Sequence, residues 1–326
     1  MIPLKLVSSG KALPSLALSS DAIDKMHHFP NGYTYKKSGI HLRYFAQDSE
    51  SQSGLAALAV KDALSNAVLK VSDIDLLISA CAVQEQSLPS TACAIAAKLG
   101  LTPGVPAIDI NASCLSFLAS LQVAAGLLNV GSYKRIAVVS SDLASRGLDW
   151  NAPEASLIFG DGAAAVILEK GHATQGLLAL SLKTYAHGRS LCEIRAGGTR
   201  RNPRVGDEAQ DYLFQMDGKA MFRLATQLMP DFLANLLQQA NIDLESVDAF
   251  IPHQASHLGM SHLIRKLGLP REKVVDIYAY HGNQVAASMP TALHEAYLSG
   301  RAGTGKRLLF LGTAAGFMIG GAVLDL

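Results

Sequence analysis

Three residues have side chains that together suit one kind of chemistry, the transfer of an acyl group through a covalent intermediate. Cys114 lies in the sequence Asn-Ala-Ser-Cys-Leu-Ser-Phe, His253 follows an apolar run, and Asn283 follows a glycine. A cysteine thiolate can accept an acyl group. A neutral imidazole and a carboxamide can then donate hydrogen bonds to an oxyanion that develops in a later step. The three side chains therefore indicate a nucleophile with two stabilising donors.

The position of Cys114 favours a functional role for its thiol. Residues 107–110 are typical of a buried strand and residues 115–128 of an apolar-faced helix, so the cysteine is predicted to lie where a strand becomes a helix. Asn111 or Ser113 could cap that helix. The positive helix end would then lower the pKa of the thiol. The other cysteines are expected to be small buried side chains: Cys81, Cys93 and Cys192.

Structural roles remain open for the other two residues of the set. His253 could be a histidine of the core, although the end of an apolar strand is an unusual place for one. Asn283 could simply form a turn or cap a helix. Asp161, in the sequence Phe-Gly-Asp-Gly, is interpreted as a structural turn residue.

A weak internal repeat, with a period near 172 residues, predicts how these residues are positioned. Residues 63–78 have the same helix, turn and strand pattern as residues 236–251, and residues 133–141 match residues 305–313. Short apolar strands alternate with helices, which is typical of an α/β fold with helices on both faces of each sheet. We therefore expect two similar halves in one compact body. The cysteine, histidine and asparagine would lie at strand ends, where the sites of α/β proteins assemble.

The composition argues against several classes of protein. The chain of 326 residues has a net charge of +1 and only 17% charged residues, so no overall field favours nucleic acid or an anionic membrane. The four cysteines include no CxxC pair, which predicts neither a zinc site nor a disulfide framework. The N-terminus lacks the unbroken apolar run of a signal peptide, and the apolar runs 114–130 and 308–324 contain polar residues or glycines. We therefore expect a cytoplasmic protein with no metal site and no membrane partner.

Five motifs stand out in chain order. They are residues 109–117, 159–164, 216–223, 253–255 and 282–290. In these motifs, and over nearly the whole chain, the sequence resembles the ketoacyl-acyl carrier protein synthase III family of the thiolase superfamily. The resemblance implies a duplicated, thiolase-like five-layer αβαβα fold and a homodimer. Residues 1–172 would form the N-terminal half with the nucleophilic cysteine, and residues 173–326 the C-terminal half with the histidine and asparagine.

The resemblance also implies a reaction, the decarboxylative Claisen condensation of an acyl thioester with a malonyl thioester to give a 3-oxoacyl product. Cys114 would be the acylated nucleophile, and His253 and Asn283 would stabilise the enolate formed when the malonyl thioester loses carbon dioxide. The backbone N–H groups of Cys114 and Ala315 would form the oxyanion hole. The implied substrates are thioesters of coenzyme A or of phosphopantetheine on an acyl carrier protein, with no metal and no further cofactor.

Carried over by position, the resemblance assigns substrate and carrier contacts. Leu88 occupies the position from which a family member reaches into the acyl pocket of its partner, and Phe159 and Met216 would line that pocket. The residues implied to bind substrate are Tyr33, Leu88, Phe159, Met216, Gly218, Lys219, Phe222 and Ser256. Those implied to dock an acidic carrier protein are Lys37, Arg223, Arg265 and Lys266.

Four positions depart from the family pattern. Ser256 replaces the asparagine of the motif His-Gln-Ala-Asn, and Leu258 stands where an arginine follows. Tyr33 replaces a tryptophan that often stacks on the adenine of coenzyme A, and Pro153 replaces an arginine that completes the stack. These departures put in doubt whether coenzyme A thioesters are bound in the family's usual way.

Three other interpretations use the same residues. The order cysteine, histidine, asparagine is also that of papain-like hydrolases, but their local cysteine signature is absent. A thiolase-fold acyltransferase could pass the acyl group from Cys114 to an alcohol, an amine or a second acyl thioester without decarboxylation. A non-catalytic scaffold is disfavoured, because all three reactive side chains are present. Release of carbon dioxide would distinguish the condensation, while the acyl chain length and the pathway, fatty acid or secondary metabolite, stay open.

Overall fold

The computed structural model describes all 326 residues, and strands and helices alternate along most of the chain. The strands are β1 (Ile2–Pro3), β2 (Lys5–Ala12), β3 (Leu16–Ser19), β4 (Leu42–Phe45), β5 (Leu76–Ser79), β6 (Ala107–Asp109), β7 (Arg135–Asp142), β8 (Gly162–Glu169), β9 (Gly176–Thr184), β10 (Cys192–Glu193), β11 (Gln215–Met216), β12 (Ala249–Pro252), β13 (Arg307–Ala314) and β14 (Met318–Asp325). The helices are α1 (Ser20–Met26), α2 (Tyr33–Ser38), α3 (Gln52–Asn66), α4 (Thr91–Leu99), α5 (Ser116–Asn129), α6 (Pro153–Ser156), α7 (Gly218–Ala240), α8 (His257–Lys266), α9 (Tyr278–His281) and α10 (Ser288–Leu298).

Two five-stranded sheets share the arrangement of four of their strands, while the fifth strand lies on opposite edges, β6 beside β5 in the first sheet and β1 beside β9 in the second. The first has the order β2-β8-β7-β5-β6 and the second the order β1-β9-β14-β13-β12. In the first sheet β5 and β7 are parallel and β8 is antiparallel to β7, and in the second β12 and β13 are parallel and β14 is antiparallel to β13. The register corresponds too, since Leu76 pairs with Ile136 and Ala249 pairs with Leu308. The predicted repeat is therefore a structural duplication.

Two aspartates fasten the parallel strand pairs at corresponding places. Asp75 accepts a hydrogen bond from the backbone N–H of Arg135 at 2.8 Å. Asp248 accepts one from the backbone N–H of Arg307, also at 2.8 Å. Asp75 and Asp248 thus satisfy corresponding backbone donors in the two halves, and both lie within the sequence repeat.

Alternate side chains of a strand point to opposite faces of its sheet, and their packing against helices defines five layers. Ile136 and Val138 of β7 pack into a central core, which α5 and α10 share with the second sheet. Ala137 and Val139 point to the opposite face and pack with α3 in an outer cluster. Residues of α7 form the corresponding outer cluster on the second sheet. The layers are therefore α3, sheet, α5 with α10, sheet, α7, which confirms the predicted αβαβα fold.

The connection between the two halves lies between β8 and β9, and residue 172 falls within it. The first strand of the chain nevertheless joins the second sheet, because Ile2 of β1 pairs with Leu177 of β9. The division into residues 1–172 and 173–326 stays a prediction, and the start of the chain crosses it.

The two long apolar runs of the sequence are core elements. The run 114–130 contains α5, and the run 308–324 forms most of the antiparallel hairpin of β13 and β14. None of the helices combines the length and the hydropathy that a bilayer-spanning helix requires.

Strand and helix backbones come very close together where β2 passes α3. A Cβ atom at Gly10 would lie 2.2 Å from the nitrogen of Ala63 and 2.7 Å from the oxygen of Ala59. Both are backbone atoms, so no rotation of a side chain could relieve the overlap. Glycine at this position therefore sets the distance between the first sheet and its outer helix.

We expect Gly10→Ala to lower the free energy of unfolding by about 1–3 kcal/mol or more, because α3 has to move away from β2. Gly126→Ala is the matched control, since Gly126 lies in α5 with open space around its Cβ position. Alanine there should raise stability by about 0.5–1 kcal/mol. Urea unfolding followed by circular dichroism measures both variants, and equal stabilities would contradict this account of the packing.

Candidate active site

Cys114 lies in a tight turn that leads from β6 into α5. The helix begins at Ser116, and its N-cap residue, Leu115, provides no side-chain hydrogen bond. The side-chain oxygen of Asn111 instead accepts from the backbone N–H of Ser113 at 2.9 Å, and Ser113 has a positive φ of 53°. The prediction that Asn111 or Ser113 caps the helix is therefore wrong, because the asparagine side chain is used to close the turn.

Burial raises the pKa of the Cys114 thiol to about 12, although the backbone N–H groups of Ala315 and of Cys114 itself act to lower it. The predicted lowering of this pKa by the helix is therefore wrong. The sulfur lies before the first helical residue and packs against the central apolar core, so the loss of water outweighs the helix end. At neutral pH the resting nucleophile is a thiol.

His253 is the first residue after β12. Its backbone N–H donates to the Leu311 carbonyl at 2.9 Å and so extends the pairing of β12 with β13. The residue is 5% exposed, and burial lowers the pKa of the imidazole to about 4. The ring is therefore neutral at pH 7 and has one N–H donor.

Asn283 is held mainly through its backbone. Its N–H donates to the carbonyl of Ile158 at 2.8 Å, and its carbonyl accepts from the N–H of Gly160 at 3.1 Å. The side-chain oxygen accepts from the N–H of Val285 at 2.9 Å, and the side-chain nitrogen donates to the carbonyl of Ala255 at 3.3 Å. This arrangement fixes which end of the carboxamide is the donor and leaves its second N–H for a ligand.

The three residues come together from both halves of the chain. The carbonyl two residues after His253 accepts the hydrogen bond from the Asn283 side chain, so these two segments touch. A Cβ atom at Gly312 would lie 2.6 Å from the Cβ of His253 and 3.3 Å from a methyl carbon of Leu115, which directly follows the cysteine. The cysteine turn and the histidine therefore meet at β13, and the asparagine side chain bonds to the segment that follows the histidine.

Asp142, the last residue of β7, is a buried acid that local sequence patterns did not reveal. One carboxylate oxygen accepts from the N–H groups of Ala82 (3.0 Å) and Val83 (3.2 Å), and the other accepts from that of Ala286 at 3.1 Å. Burial raises the pKa of this carboxyl to about 7. The only signal in the sequence was an acid at the end of an apolar strand, and its function is to tie the first half to the turn that carries the asparagine.

Two of the predicted pocket residues lie beside the site. Phe159 is buried, forms a bridge with Asn283 and meets the ring of Phe214 edge-on at 5.0 Å. Met216 lies opposite Cys192 in the ribbon of β10 and β11. Burial and the nearby Cys114 both raise the pKa of the Cys192 thiol. The ribbon therefore forms a wall close to the nucleophile.

The other predicted substrate residues either lie on the surface, away from Cys114, or have side chains that already form a hydrogen bond within the chain. The hydroxyl of Ser256 accepts from the N–H of Gly259 at 3.2 Å and caps α8, so its side chain has a structural task. Leu88 is 85% exposed and is not part of a pocket within one chain. The remaining ones lie on exposed or half-buried surface at the start of α7 and on α2: Gly218, Lys219, Phe222 and Tyr33.

The predicted docking residues are exposed on three helices, α2, α7 and α8: Lys37, Arg223, Arg265 and Lys266. These helices are neighbours. The rings of Phe222 on α7 and His262 on α8 are 5.0 Å apart, and the Cβ position of Gly39, after α2, is 3.1 Å from His257. We call the surface formed by the four cations the basic face. Leu258, which is 76% exposed, lies on the first turn of α8.

The remaining cysteines have no contact that suggests chemistry. Cys81 and Cys192 are buried, as expected, but Cys93 is exposed, so that prediction is wrong. Cys93 lies in the first turn of α4, where its N–H donates to the capping hydroxyl of Ser90 at 3.3 Å and its side chain faces solvent. No three histidine, cysteine, aspartate or glutamate side chains are grouped so that they could hold a metal ion.

Known proteins resemble the chain over its whole length. Residues 108–186 match the family model described as 3-oxoacyl-[acyl-carrier-protein] synthase III, and residues 237–326 match the model of its C-terminal part. The beta-ketoacyl-[acyl-carrier-protein] synthase III of Neisseria gonorrhoeae is 33% identical, with 98% of each chain covered. A synthase III of Streptomyces coelicolor is 35% identical, with 98% of this chain and 96% of the relative covered.

A solved structure is similar as well. The crystal structure of 3-oxoacyl-[acyl-carrier-protein] synthase III from Aquifex aeolicus superposes with a TM-score of 0.88 at 29% identity, and the match covers 99% of this chain and all of the other.

The raised pKa of Cys114 predicts how its alkylation depends on pH. With a pKa of about 12, the thiolate fraction should rise about tenfold per pH unit between pH 7 and 9. The rate of Cys114 modification by iodoacetamide, followed by peptide mass spectrometry in a Cys93→Ser background, should rise equally steeply. A plateau near pH 7 would show instead that the turn stabilises a thiolate.

Proposed function

The chain belongs to the 3-oxoacyl-[acyl-carrier-protein] synthase III family, and we propose that Cys114, His253 and Asn283 perform this family's condensation. The enzyme is an acyltransferase that joins an acyl thioester to a malonyl thioester, with loss of carbon dioxide, and forms a 3-oxoacyl product. The observation that supports the residue assignment is that the turn carrying the thiol and the residue carrying the neutral imidazole meet at Gly312, while the carboxamide of Asn283 donates to Ala255, two residues after the histidine. None of these groups is charged at rest, which suits a reaction whose negative charge develops on the substrate.

In the first half-reaction the sulfur of Cys114 attacks the carbonyl carbon of an acyl thioester, and the carrier thiolate leaves. The proton of the cysteine ends on the leaving thiolate, so one thioester is exchanged for another. Because burial raises the pKa of Cys114 to about 12, the thiolate is scarce at neutral pH, and the thiol has to lose its proton for the attack. The backbone N–H groups of Cys114 and Ala315 would donate to the oxygen of the tetrahedral intermediate.

In the second half-reaction the malonyl thioester loses carbon dioxide, and the electron pair is left as an enolate with its charge on the thioester oxygen. His253 and Asn283 would donate hydrogen bonds to that oxygen. Since burial lowers the pKa of His253 to about 4, the imidazole acts as a neutral donor. The enolate carbon then attacks the acyl-cysteine, and the departing Cys114 thiolate takes up a proton.

The thioesters would arrive across the basic face. Its four cations are exposed and lie on adjoining helices, so they offer a positive surface to an acidic carrier protein or to the phosphates of coenzyme A. Tyr33 lies at one edge of this face, with the ammonium of Lys37 5.8 Å from its ring centre. We propose that the acyl chain then passes Phe159 and Met216 to reach the cysteine.

Asn283→Ala is expected to separate the two half-reactions. The variant should still acquire an acyl group, because acylation uses the backbone donors around Cys114. Its release of carbon dioxide from a malonyl thioester should fall by about a hundredfold or more, since one preorganised donor to the enolate is lost. Intact-mass spectrometry measures acylation, and a coupled assay for carbon dioxide measures decarboxylation.

Cys114→Ala is the complementary control, which should lose the acyl-enzyme mass while Cys81→Ala keeps it. Acylation that persists in Cys114→Ala would refute the nucleophile. Normal condensation by Asn283→Ala would refute the proposed enolate site and favour an acyltransferase that works without malonyl decarboxylation.

We propose that the enzyme acts as a homodimer in which each chain completes the acyl pocket of the other. Strand β6 is the outermost strand of the first sheet, and its Ile108 is 40% exposed. Leu88 and Val83 are also exposed, at 85% and 51%. An unpaired strand edge beside exposed apolar side chains favours pairing with a second copy. Leu88 would then enter the partner's pocket.

Mixing two variants tests whether Leu88 acts on the partner. Leu88→Asp should be acylated by an octanoyl thioester at least about tenfold more slowly, because it places a charge in an apolar pocket. Mixing with Cys114→Ala, which keeps Leu88, should restore acylation of the Leu88→Asp chain after subunit exchange. Failure of the mixture to recover, or a monomer in sedimentation of the unmodified enzyme, would contradict the shared pocket.

A further inference from the structure

Arg43 of β4 is a completely buried cation that has no acidic partner. It is 0% exposed and forms no salt bridge. Its Nη1 donates to the carbonyls of Leu157 at 2.6 Å and Phe159 at 3.1 Å, whereas Nε and Nη2 have no partner. A buried charge of this kind is costly. The two carbonyls are the only hydrogen-bond partners of the guanidinium, so its function is sought in the segment that carries them.

Those carbonyls lie on one side of residues 157–160, a short segment that follows α6 and forms a bridge with Asn283 at Phe159. On the opposite side the carbonyl of Ile158 accepts from the N–H of Asn283, and the N–H of Gly160 donates to the carbonyl of Asn283. Leu157 and Phe159 thus present their carbonyls to Arg43, and Ile158 between them presents its carbonyl to Asn283. Arg43 therefore binds the side of residues 157–160 that faces away from Asn283, so these residues lie between Arg43 and Asn283.

The backbone of residues 157–160 lies in direct contact with the backbone of residues 281–283, which form the turn that carries Asn283. A Cβ atom at Gly160 would lie 2.1 Å from the carbonyl oxygen of His281. Gly282 has a φ of 68°, and its Cβ position is 3.1 Å from the nitrogen of Gly160. With no side chain between the two segments, a shift of residues 157–160 is passed directly to Asn283.

Tyr278 connects Arg43 to the same turn from the other side. It is the first residue of α9, the helix that leads into Gly282 and Asn283. Its buried hydroxyl has no hydrogen-bond partner, and its side chain lies near enough to Arg43 to influence the pKa of the guanidinium. The cation thus faces both backbone segments that hold the asparagine.

We propose that Arg43 is a positioning residue for the condensation, which holds Asn283 where its carboxamide can donate to the enolate oxygen. This inference rests on the proposed role of Asn283. Acylation should depend much less on Arg43, because the N–H groups of Cys114 and Ala315 belong to the cysteine turn and to the end of β13. Arg43 is therefore expected to affect the decarboxylation of the malonyl thioester and not the acylation of Cys114.

Arg43→Met should lower the rate of malonyl decarboxylation by about 10–100-fold, as expected for a displaced catalytic group, and leave acylation at saturating thioester near its normal rate. Arg43→Lys should lie in between, because an ammonium can still donate to a carbonyl. Arg135→Met is the matched control, since Arg135 pairs with Glu169 at the far end of the first sheet. It should leave the ratio of the two rates unchanged.

The same change in an Asn283→Ala background gives a stricter test. Arg43→Met should then cause no further loss of decarboxylation, because the group that it positions is gone. Losses that multiply, or an equal loss of acylation and decarboxylation, would overturn the proposal and indicate general destabilisation. If Arg43→Met does not fold, Gly160→Ala displaces the same segment and should give the same selective loss.

The outcomes also separate this inference from the assignment beneath it. If Asn283→Ala decarboxylates normally, the proposed enolate site is wrong. If Asn283→Ala is slow but neither Arg43→Met nor Gly160→Ala is, only the role of Arg43 is wrong.

Discussion

At Gly312 the strand β13 passes between the histidine of one half and the cysteine turn of the other without a side chain of its own. A methyl group there would lie 2.6 Å from the Cβ of His253 and 2.7 Å from the Cε of Met289. Any larger residue would push the imidazole away from the thiol. The site therefore depends on the absence of a side chain at Gly312, where β13 meets side chains from both duplicated halves.

The same close packing removes water from the reacting groups and so determines their charge. Burial raises the pKa of Cys114 to about 12 and lowers the pKa of His253 to about 4, so both side chains are neutral at rest. A hydrogen bond to a developing negative charge is much stronger where water is excluded. In the proposed reaction, a neutral, fixed set of donors would thus stabilise the substrate oxyanion without first having to give up a charge of its own.

Short sequence patterns were enough to predict the features that depend on residues close together in the chain. The alternation of strands and helices and the internal repeat predicted the duplicated fold, and the motifs singled out Cys114, His253 and Asn283 as the candidate site. They did not predict the closed turn at Asn111, the raised pKa of Cys114 or the buried Asp142. Each of these depends on which distant segments exclude water or supply a backbone donor, and no pattern within a short window contains that information.

Arg43 illustrates the same limit. Its neighbours in the sequence form an ordinary short strand, and its importance appears only when residues 157–160 and Asn283 are brought beside it. Long-range contacts of this kind also explain why the asparagine needs few side-chain restraints. Its carboxamide oxygen accepts from Val285 and from the hydroxyl of Ser288, its nitrogen donates to Ala255, and the backbone bonds of the residue supply the rest.

The four departures from the family pattern all lie outside this converged site. Ser256 caps α8 and Leu258 is exposed in the first turn of that helix, while Tyr33 begins α2 and Pro153 begins α6. In the proposed route across the basic face, these elements would meet an arriving thioester and its carrier, whereas His253 and Asn283 are buried. An apolar side chain in place of a cation weakens the attraction for phosphate. Such a change alters which thioester is delivered, and it leaves the geometry of condensation untouched.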